Sequence, residues 1–391
     1  MDREELTGWL RLTRTPGIGS DSARRLLACF GPPEAIFRQD TATLQQVVGR
    51  QQAAALGAVP EGLDALVDAT CAWLRPDATS PSPPRQVVCL GDPRYPPGLL
   101  ATEDPPLLLY YLGGPGSDDA HAQRDWFDRS FGHSVAIVGS RNPTPQGLIN
   151  ARQFGRALAD AGLTVVSGMA LGVDGAAHEG ALEGCRHPGS HAATIAVVGT
   201  GLDRVYPKAH LALARRIAQH GLVISEYAIG TPALSANFPR RNRLIAGIAH
   251  GTLVVEAALQ SGSLITARLT VEQGKDVFAI PGSIHATQSR GCHALIRQGA
   301  KLVESAQDVL EEGGWAASQA TTGPAGTQSP AAAPEDDSLL AALGFDPVSL
   351  DALLARTGLD TAQLQAQLMA LELQGQVARL PGGLYQRMAT A

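Results

Sequence analysis

The sequence lacks the features of an exported or membrane-inserted protein. No apolar run approaches the ~20 residues that a membrane-spanning helix needs. Residues 1–5 read Met-Asp-Arg-Glu-Glu and are mostly charged, whereas a signal peptide carries an apolar stretch near its start. We therefore expect a cytoplasmic protein without a membrane span.

Cysteine is scarce. Five cysteines are spread over 391 residues, their number is odd, and no two form a Cys-x-x-Cys pair. This distribution argues against a disulfide framework and against a cysteine-rich zinc site, and it fits a reducing compartment. We expect no structural metal.

The common nucleotide-binding motifs are also missing. No Gly-x-Gly-x-x-Gly occurs, and Gly274-Lys275 lacks the upstream glycine of a phosphate-binding P-loop. Binding of a dinucleotide and ATP hydrolysis of the P-loop kind are therefore not indicated. No cofactor is expected.

The charge is unevenly distributed along the chain. The formal net charge is −6, which by itself argues against a polyanionic ligand. Residues 130–310, however, contain 16 Lys and Arg against 11 Asp and Glu, whereas the remainder contains 15 against 26. A basic middle between acidic ends predicts that any anion-binding surface lies in the middle of the chain.

The pattern of apolar residues predicts an α/β protein with smaller modules at its ends. Residues 1–75 have helix-like apolar spacing. Short Val- and Ile-rich runs then alternate with helical stretches long enough for crossover connections, which predicts a parallel sheet covered by helices on both faces. The predicted strands are Val87–Leu90, Leu107–Leu112, Val135–Val138, Leu163–Val166, Thr194–Val198, Leu222–Ile224, Thr252–Val255 and Val277–Ile280.

Two segments have the composition of linkers. Residues 76–84 are rich in Pro and Ser, and residues 313–335 consist mainly of Gly, Ala, Ser, Thr, Gln and Pro. Such segments cannot bury a core, and we expect the second to be disordered. After it, residues 336–391 predict helices at Leu339–Leu343, Val348–Arg356 and Thr361–Leu373, followed by a β-hairpin. Three helices and a hairpin of this size predict a winged helix.

The turn after the third predicted strand is a candidate anion site. It contains Gly139, Ser140, Arg141 and Thr144. Glycine permits a tight turn, the hydroxyls and the first amides of the next helix are donors, and Arg141 adds a forked cation. The alternative is an ordinary strand–helix turn in which Arg141 pairs with a nearby carboxylate.

Two further turns follow strands at the same predicted edge of the sheet, where open α/β folds bind ligands. One contains Gly168 and Met169 and leads to Asp174 and His178. Those two side chains share a helical face, and we favour a structural role in which Asp174 caps the helix and orients His178 over a metal or acid–base role. The other turn leads to Lys208, which either contacts a phosphate or is simply solvated.

An arginine-rich run is the most unusual feature. Phe238 is followed by arginines at 240, 241 and 243 and by Asn242. Arginine contacts phosphates, and an aromatic ring can stack on an unpaired base. Cations near a helix N-terminus oppose the helix dipole, so we expect carboxylates such as Glu226 and Glu256, a bound anion, or both nearby. Some of these arginines should be structural and some exposed. The Gly/Ser turn at residues 261–263 either holds a phosphate or caps a helix.

Taken together and in order, these motifs resemble the DNA-processing protein A (DprA/Smf) family over about residues 85–312. The motifs are Ile137–Arg141, Ser167–His178, Phe238–Gly247, Val255–Glu256 with Ser261–Ala267, and Val277–Ser283. The resemblance implies an extended Rossmann-like domain that binds and protects single-stranded DNA and helps to load a RecA-type recombinase in natural transformation and recombination. The resemblance implies a homodimer without catalytic residues. A single-strand-binding protein is a further candidate partner.

The resemblance also assigns residues. It implies that Arg141 and Lys208 are basic contacts in one pocket, which Phe238 and the arginine run line. The full set of expected DNA-binding residues is Gly139, Ser140, Arg141, Thr144, Gly168, Met169, Lys208, Phe238, Arg240, Arg241, Asn242 and Arg243. The expected dimer contacts are Ile284, His293, Leu295 and Ile296. Residues 15–27 resemble a helix–hairpin–helix or sterile-alpha-motif-like module, and residues 336–391 the winged helix of some members.

Two other functions remain open at the level of sequence. Related Rossmann-like folds include phosphoribohydrolases and molybdenum-cofactor carriers, and Glu256 with the Ser/Gly turn would serve a nucleotide enzyme, although the Pro-Gly-Gly-x-Gly-Thr order is missing. A winged-helix regulator is the third hypothesis. Its predicted recognition helix, Thr361–Leu373, has Glu372 as its single charged residue, whereas duplex recognition normally needs cations.

Overall fold

A computed structural model describes residues 1–75, 82–117, 119–315, 338–344, 347–380 and 382–388. Most of both predicted linkers, 76–81 of the first and 316–335 of the second, lies outside the described residues. No helix in the described ranges is long and apolar enough to cross a membrane. The predicted division of the chain into segments 1–75, 85–312, 313–335 and 336–391 stays a prediction.

The N-terminal residues form six short helices, as predicted. Their apolar positions recur every three or four residues, so Leu6, Leu10 and Leu26 face a common core and are each at most 1% exposed. The carboxylate of Asp2 caps the first helix by accepting from the Glu5 amide, as a good N-cap residue does. The helices are α1 (Arg3–Arg14), α2 (Ser20–Phe30), α3 (Pro33–Phe37), α4 (Thr41–Leu44), α5 (Arg50–Leu56) and α6 (Leu63–Leu74).

All eight predicted strands are confirmed, each to within one or two residues at its ends. They form one sheet together with a ninth strand of two residues that sequence reasoning missed. The strands are β1 (Arg85–Cys89), β2 (Leu108–Gly113), β3 (Ser134–Val138), β4 (Thr164–Ser167), β5 (Thr194–Val197), β6 (Leu222–Ser225), β7 (Gly251–Val254), β8 (Asp276–Ala279) and β9 (Lys301–Leu302).

The strand order is β1-β2-β6-β5-β4-β3-β7-β8-β9. Strands β3 to β9 run parallel. Strand β2 extends the sheet by antiparallel pairing with β6, and β1 pairs antiparallel with β2. The chain first progresses from β3 to β6 and then returns to the other side of β3 with β7. This reversal creates a crevice at the carboxyl ends of β3 and β7, the place where open α/β sheets bind ligands.

Helices cover both faces of the sheet. Successive residues of β3 show this, because Val135 and Ile137 belong to one buried cluster and Ala136 and Val138 to another. Burial on both faces explains the unbroken apolar strands. The helices are α7 (Pro97–Leu100), α8 (Ala120–Gly132), α9 (Pro145–Asp160), α10 (Val173–Gly184), α11 (Leu211–His220), α12 (Asn237–Ile248), α13 (Ser263–Glu272), α14 (Arg290–Arg297) and α15 (Ala306–Glu312), with 3-10 turns at Lys208–His210 and Thr287–Ser289.

The C-terminal residues form the predicted winged helix. Its helices are α16 (Ser338–Leu343), α17 (Leu350–Thr357) and α18 (Thr361–Leu373), and its strands are β10 (Val348–Ser349), β11 (Val377–Leu380) and β12 (Leu384–Arg387). The prediction that the second helix begins at Val348 was wrong. Val348 and Ser349 instead pair with β12, and Ser349 caps α17 through its hydroxyl.

Helices α9 and α10 approach each other unusually closely through glycines. A Cβ atom built on Gly180 would lie 2.0 Å from the carbonyl oxygen of Arg152, and one on Gly184 would lie 2.0 Å from that of Arg156. Helix α10 follows the strand β4, and its first turn contains Asp174 beside the crevice. The glycine contact therefore sets the position of one wall of the crevice.

We predict that Gly180→Ala destabilises the protein, because the methyl group forces α9 and α10 apart. Overpacking of this kind costs about 1–3 kcal/mol. The measurement is urea denaturation. Gly132→Ala, at the end of α8, is the matched control, since a Cβ there meets nothing within 4 Å. Equal stabilities of the two variants would contradict the prediction.

Candidate nucleic-acid interface

A pocket of about 470 Å³ opens in the crevice between the ends of β3 and β7. Its walls come from the loop after β3, the start of α10, the helix α12 and the turn that precedes α13. The lining residues are Val138, Gly139, Ser140, Arg141, Ala170, Asp174, Phe238, Pro239, Arg241, Asn242, Ile245, Ala258, Gln260, Ser261, Gly262, Ser263, Thr266 and Gln288. The structure thus brings the first predicted turn, the arginine run and the Gly/Ser turn together.

Arg141 stands at this pocket as a cation without an ion-pair partner, although its charge partly offsets the burial that raises the pKa of Asp174. Its side chain is exposed, and its guanidinium carbon lies 5.7 Å from the ring centre of Phe238. It makes no ion pair or hydrogen bond with any residue that the structure describes. The alternative in which Arg141 pairs with a carboxylate is therefore not what the structure shows.

The loop that carries Arg141 is fixed by its backbone. The amide of Ser140 donates to the carbonyl oxygen of Glu256 at 2.7 Å, and the carbonyl oxygen of Ser140 accepts from the amide of Val173 at 3.1 Å. A Cβ atom at Gly139 would lie 2.8 Å from the Val173 side chain. Glycine is thus required at residue 139 for packing against α10, and Arg141 projects from a rigid turn.

The amino end of α9 is occupied by a carboxylate of the protein itself. Glu256 accepts from the Thr144 amide at 2.9 Å and from the Thr144 hydroxyl at 2.5 Å. Burial raises the pKa of Glu256, and the two hydrogen bonds from Thr144 oppose that shift. Sequence reasoning expected Glu256 beside the arginines and Thr144 free for a ligand. The Glu256 carboxylate and Thr144 instead bind each other. The amino end of α9 is therefore occupied by a carboxylate of the protein and does not offer a free anion site.

The arginine run divides into structural and free residues, as expected. Arg241 is 4% exposed and donates to the carbonyl oxygens of Gly168, at 2.6 Å, and of Val197. Burial lowers its pKa to about 10. Arg243 pairs with the carboxylate of Glu226. Arg240 is exposed and forms no ion pair within the described ranges.

Three further residues predicted to bind DNA lie at or near the pocket. Asn242 lines it, whereas Gly168 and Met169 do not. The Asn242 amide donates to the carbonyl oxygen of Gly262 at 3.3 Å and so connects α12 to the turn before α13. Met169 has a positive φ of 56° and is 2% exposed. Its side chain belongs to the core, and Gly168 offers its carbonyl oxygen to Arg241. A ligand contact by these residues stays a prediction.

Asp174 and His178 do not form the pair that the sequence predicted. Asp174 accepts from the Ala170 amide at 3.3 Å. His178 is fully buried, and its Nδ1 lies 2.7 Å from the hydroxyl oxygen of Thr194. Because that hydroxyl donates to the Val165 carbonyl, Nδ1 carries the proton. No group of three or more His, Cys, Asp or Glu that could hold a metal occurs among the described residues.

Lys208 lies in the loop after β5, on the same edge of the sheet. Its side chain is exposed and makes no ion pair within the described part of the chain. The loop contributes a residue that sequence reasoning missed: Tyr206, whose ring centre lies 5.3 Å from that of Phe238. The sequence did contain a signal for it, because Tyr206 lies two residues before Lys208 in the loop after β5.

The four residues expected at a dimer contact lie on and before α14. Ile284 is 73% exposed, and His293 donates through Nε2 to the carbonyl oxygen of Gly282 at 2.9 Å. Leu295 and Ile296 are half-buried against the core. This surface connects to the Arg141 loop, because the side chain of Gln288 donates to the carbonyl oxygen of Asn142 at 2.9 Å.

We predict that acid destabilises the protein through His178. Its Nε2 is buried without a partner among the described residues, and burial lowers its pKa to about 3. Between that value and the ordinary pKa of about 6.5, the unfolded chain binds a proton that the folded chain does not. Stability should therefore fall on acidification by about 1.4 kcal/mol per pH unit in this window.

Urea denaturation of the wild type and of His178→Gln between pH 7 and pH 4 tests this. The variant should lose much of the slope, whereas the exposed His220→Gln should keep it. An unchanged slope in His178→Gln would show that other groups dominate the acid response.

Comparison with known proteins places the chain in a family. The family of the DNA recombination-mediator protein A matches residues 86–314, and the DprA winged helix domain matches residues 323–383. Protein Smf of Escherichia coli is 35% identical over 390 residues, with 98% of this chain and 96% of the relative covered. The DNA processing protein DprA of Streptococcus pneumoniae is 45% identical over 221 residues, with 56% and 72% covered.

A solved structure agrees with these sequence relationships. The X-ray structure of DprA from Streptococcus pneumoniae superposes with a TM-score of 0.62 at 35% identity, covering 80% of this chain and 98% of that chain. The extended Rossmann-like fold and the winged helix are thus confirmed. The chain belongs to the DNA recombination-mediator protein A family.

Proposed function

We propose that this protein binds single-stranded DNA along the carboxyl edge of its sheet, protects it and loads a RecA-type recombinase onto it. The observation that carries the proposal is the free guanidinium of Arg141 over the ring of Phe238 at the mouth of a pocket. A cation beside an aromatic ring in a pocket wall suits a phosphate next to an unpaired base.

Electrostatics supports the site. Arg141, Lys208 and Arg240 are exposed and form no ion pair within the described ranges, whereas Arg241 and Arg243 are engaged by the protein. Each free cation that meets a phosphate releases counterions, so binding should weaken steeply with salt. Since none of these groups is fixed to read base edges, we expect little sequence preference.

The geometry favours single strands over duplexes. Phe238 is half-buried in the pocket wall, so a base reaches its ring only by entering the pocket. Bases in a duplex are paired and stacked on each other, and removing one costs a few kcal/mol (about 2–4). A single strand presents its bases without that cost.

The alternative of a phosphoribohydrolase-like enzyme is not favoured. It depended on Glu256 acting on a nucleotide, but both carboxylate oxygens of Glu256 accept from Thr144, and Glu256 does not line the pocket. We propose a binding protein without catalytic turnover. The family placement supports a mediator of recombination.

We also propose that the protein acts as a homodimer through the surface of Ile284, His293, Leu295 and Ile296. The exposure of Ile284, at 73%, supports this, because a large apolar side chain gains most from being covered. Contacts with a recombinase and with a single-strand-binding protein remain part of the proposal.

Arg141→Ala should weaken binding of a single-stranded oligonucleotide about tenfold or more, since a charged contact to phosphate is lost together with a cation over Phe238. Fluorescence anisotropy at two salt concentrations measures the affinity and the salt slope, which should decrease by about one. A duplex of the same sequence should bind more weakly than the single strand.

Arg129→Ala is the matched control. It removes the same charge from the exposed end of α8, which precedes the amino end of β3 and therefore lies at the opposite edge of the sheet. If Arg141→Ala and Arg129→Ala bound DNA equally well, the proposed site would be wrong.

Thr144→Val should weaken DNA binding without removing any DNA contact. The change removes the hydroxyl that donates to the Glu256 carboxylate and that caps α9 by accepting from the Gly147 amide. The loss should lower the free energy of unfolding by about 1.5–3 kcal/mol and loosen the turn that carries Arg141. Thr144→Ser retains the hydroxyl and should resemble the wild type in both urea denaturation and anisotropy. If Thr144→Val and Thr144→Ser bound DNA equally well, the contact between Thr144 and Glu256 would not matter for DNA binding.

A further inference from the structure

Of the six tyrosines, all of which lie in the described ranges, Tyr206 alone is exposed. Its side chain is 49% exposed, whereas Tyr95, Tyr110, Tyr111 and Tyr385 are at most 9% exposed and Tyr227 is half-buried. An aromatic ring left in water loses the free energy of burial that the others gain. The half-exposed ring of Tyr206 is therefore accessible to a ligand.

The ring of Tyr206 continues a row that begins in the pocket. Arg141 lies 5.7 Å from the ring centre of Phe238, and Phe238 lies 5.3 Å from Tyr206 with an angle of 38° between the ring planes. Arg141 and Phe238 line the pocket, but Tyr206 does not. The aromatic surface thus extends out of the pocket onto the edge of the sheet.

The loop that carries Tyr206 is anchored on both sides of the ring. Before it, the carboxylate of Asp203 accepts from the Gly230 amide at 2.8 Å. After it, His210 donates through Nδ1 to the carbonyl oxygen of Met169 at 3.0 Å. A ring held in place by its neighbours loses little conformational freedom when a ligand covers it.

A free cation accompanies the exposed ring. Lys208 follows Tyr206 by two residues, is exposed and makes no ion pair with any described residue. The chemistry of the edge outside the pocket therefore repeats that of the pocket mouth: a flat aromatic face next to an unpaired positive charge. A nucleotide offers the complementary pair, a planar base and a phosphate.

Resting on the proposed function, we propose that Tyr206 stacks on a second unpaired base, outside the pocket that Phe238 lines, while Lys208 contacts the phosphate beside it. The site then engages at least two bases, one enclosed and one on the open edge. Because every base has a π-face, this second contact adds affinity without sequence preference. The surface is specific for single strands, since a base within a duplex has no free face.

The experiment measures binding of oligonucleotides to the full chain by fluorescence anisotropy. Tyr206→Ala should weaken binding of a thymidine homopolymer about 5- to 150-fold, the range expected for one lost base–aromatic stack. Tyr206→Phe retains the ring and should stay within about twofold of the wild type. Leu100→Ala, which removes another exposed apolar side chain, should change nothing.

A strand of the same length with abasic residues separates stacking from all other effects. On it, the wild type and Tyr206→Ala should bind equally, because there is no base to stack. Arg141→Ala should remain weaker than the wild type on the same abasic strand, since its contact is to phosphate. The two contributions are thereby measured independently.

Three outcomes would overturn the proposal: Tyr206→Ala binds the homopolymer as the wild type does, Tyr206→Phe loses as much as Tyr206→Ala, or the defect of Tyr206→Ala persists on the abasic strand. The last would show that Tyr206 acts only by packing on Phe238. Failure of the proposed function has a different signature, in which the wild type itself fails to bind single strands or Arg141→Ala is without effect.

Discussion

The hydrogen bonds between Glu256 and Thr144 determine how the binding edge works. They place a carboxylate of the protein at the amino end of α9, the position at which an open α/β fold often receives a phosphate. The amino end of α9 is therefore not available to an anionic ligand. The same residue fixes the Arg141 loop, because its carbonyl oxygen accepts from Ser140. Glu256 thus occupies the anion site at the start of α9 and also fixes the loop that carries Arg141.

The arginines of α12 differ in whether the protein itself binds them. Arg241 joins the ends of β4 and β5 by donating to Gly168 and Val197, and Arg243 compensates Glu226. A buried cation without such partners would be costly, so these two are bound to the fold. Arg240 alone of the three is left for solvent or a ligand. The number of unpaired cations at this edge is therefore smaller than the arginine count suggests.

The sequence predicted the sheet well, because buried parallel strands are continuous apolar runs. It could not predict β9 or β10, each only two residues long, since pairing of so short a segment depends on its neighbours. The burial of Arg241 was foreseeable, because Arg241, Leu244, Ile245 and Ile248 share one helical stripe. The Glu256–Thr144 contact was not, because 112 residues separate the two and only the strand order brings them together.

The charge distribution explains why DNA would be confined to this edge. Residues 1–75 contain 8 Lys and Arg against 9 Asp and Glu, and residues 336–391 contain 3 against 6, so neither end module has an excess of cations that would attract a polyanion. Helix α18, which would enter the groove of a duplex in a winged helix, has Glu372 as its only charged residue. The proposed strand at Arg141 would therefore gain little electrostatic attraction by spreading over these modules.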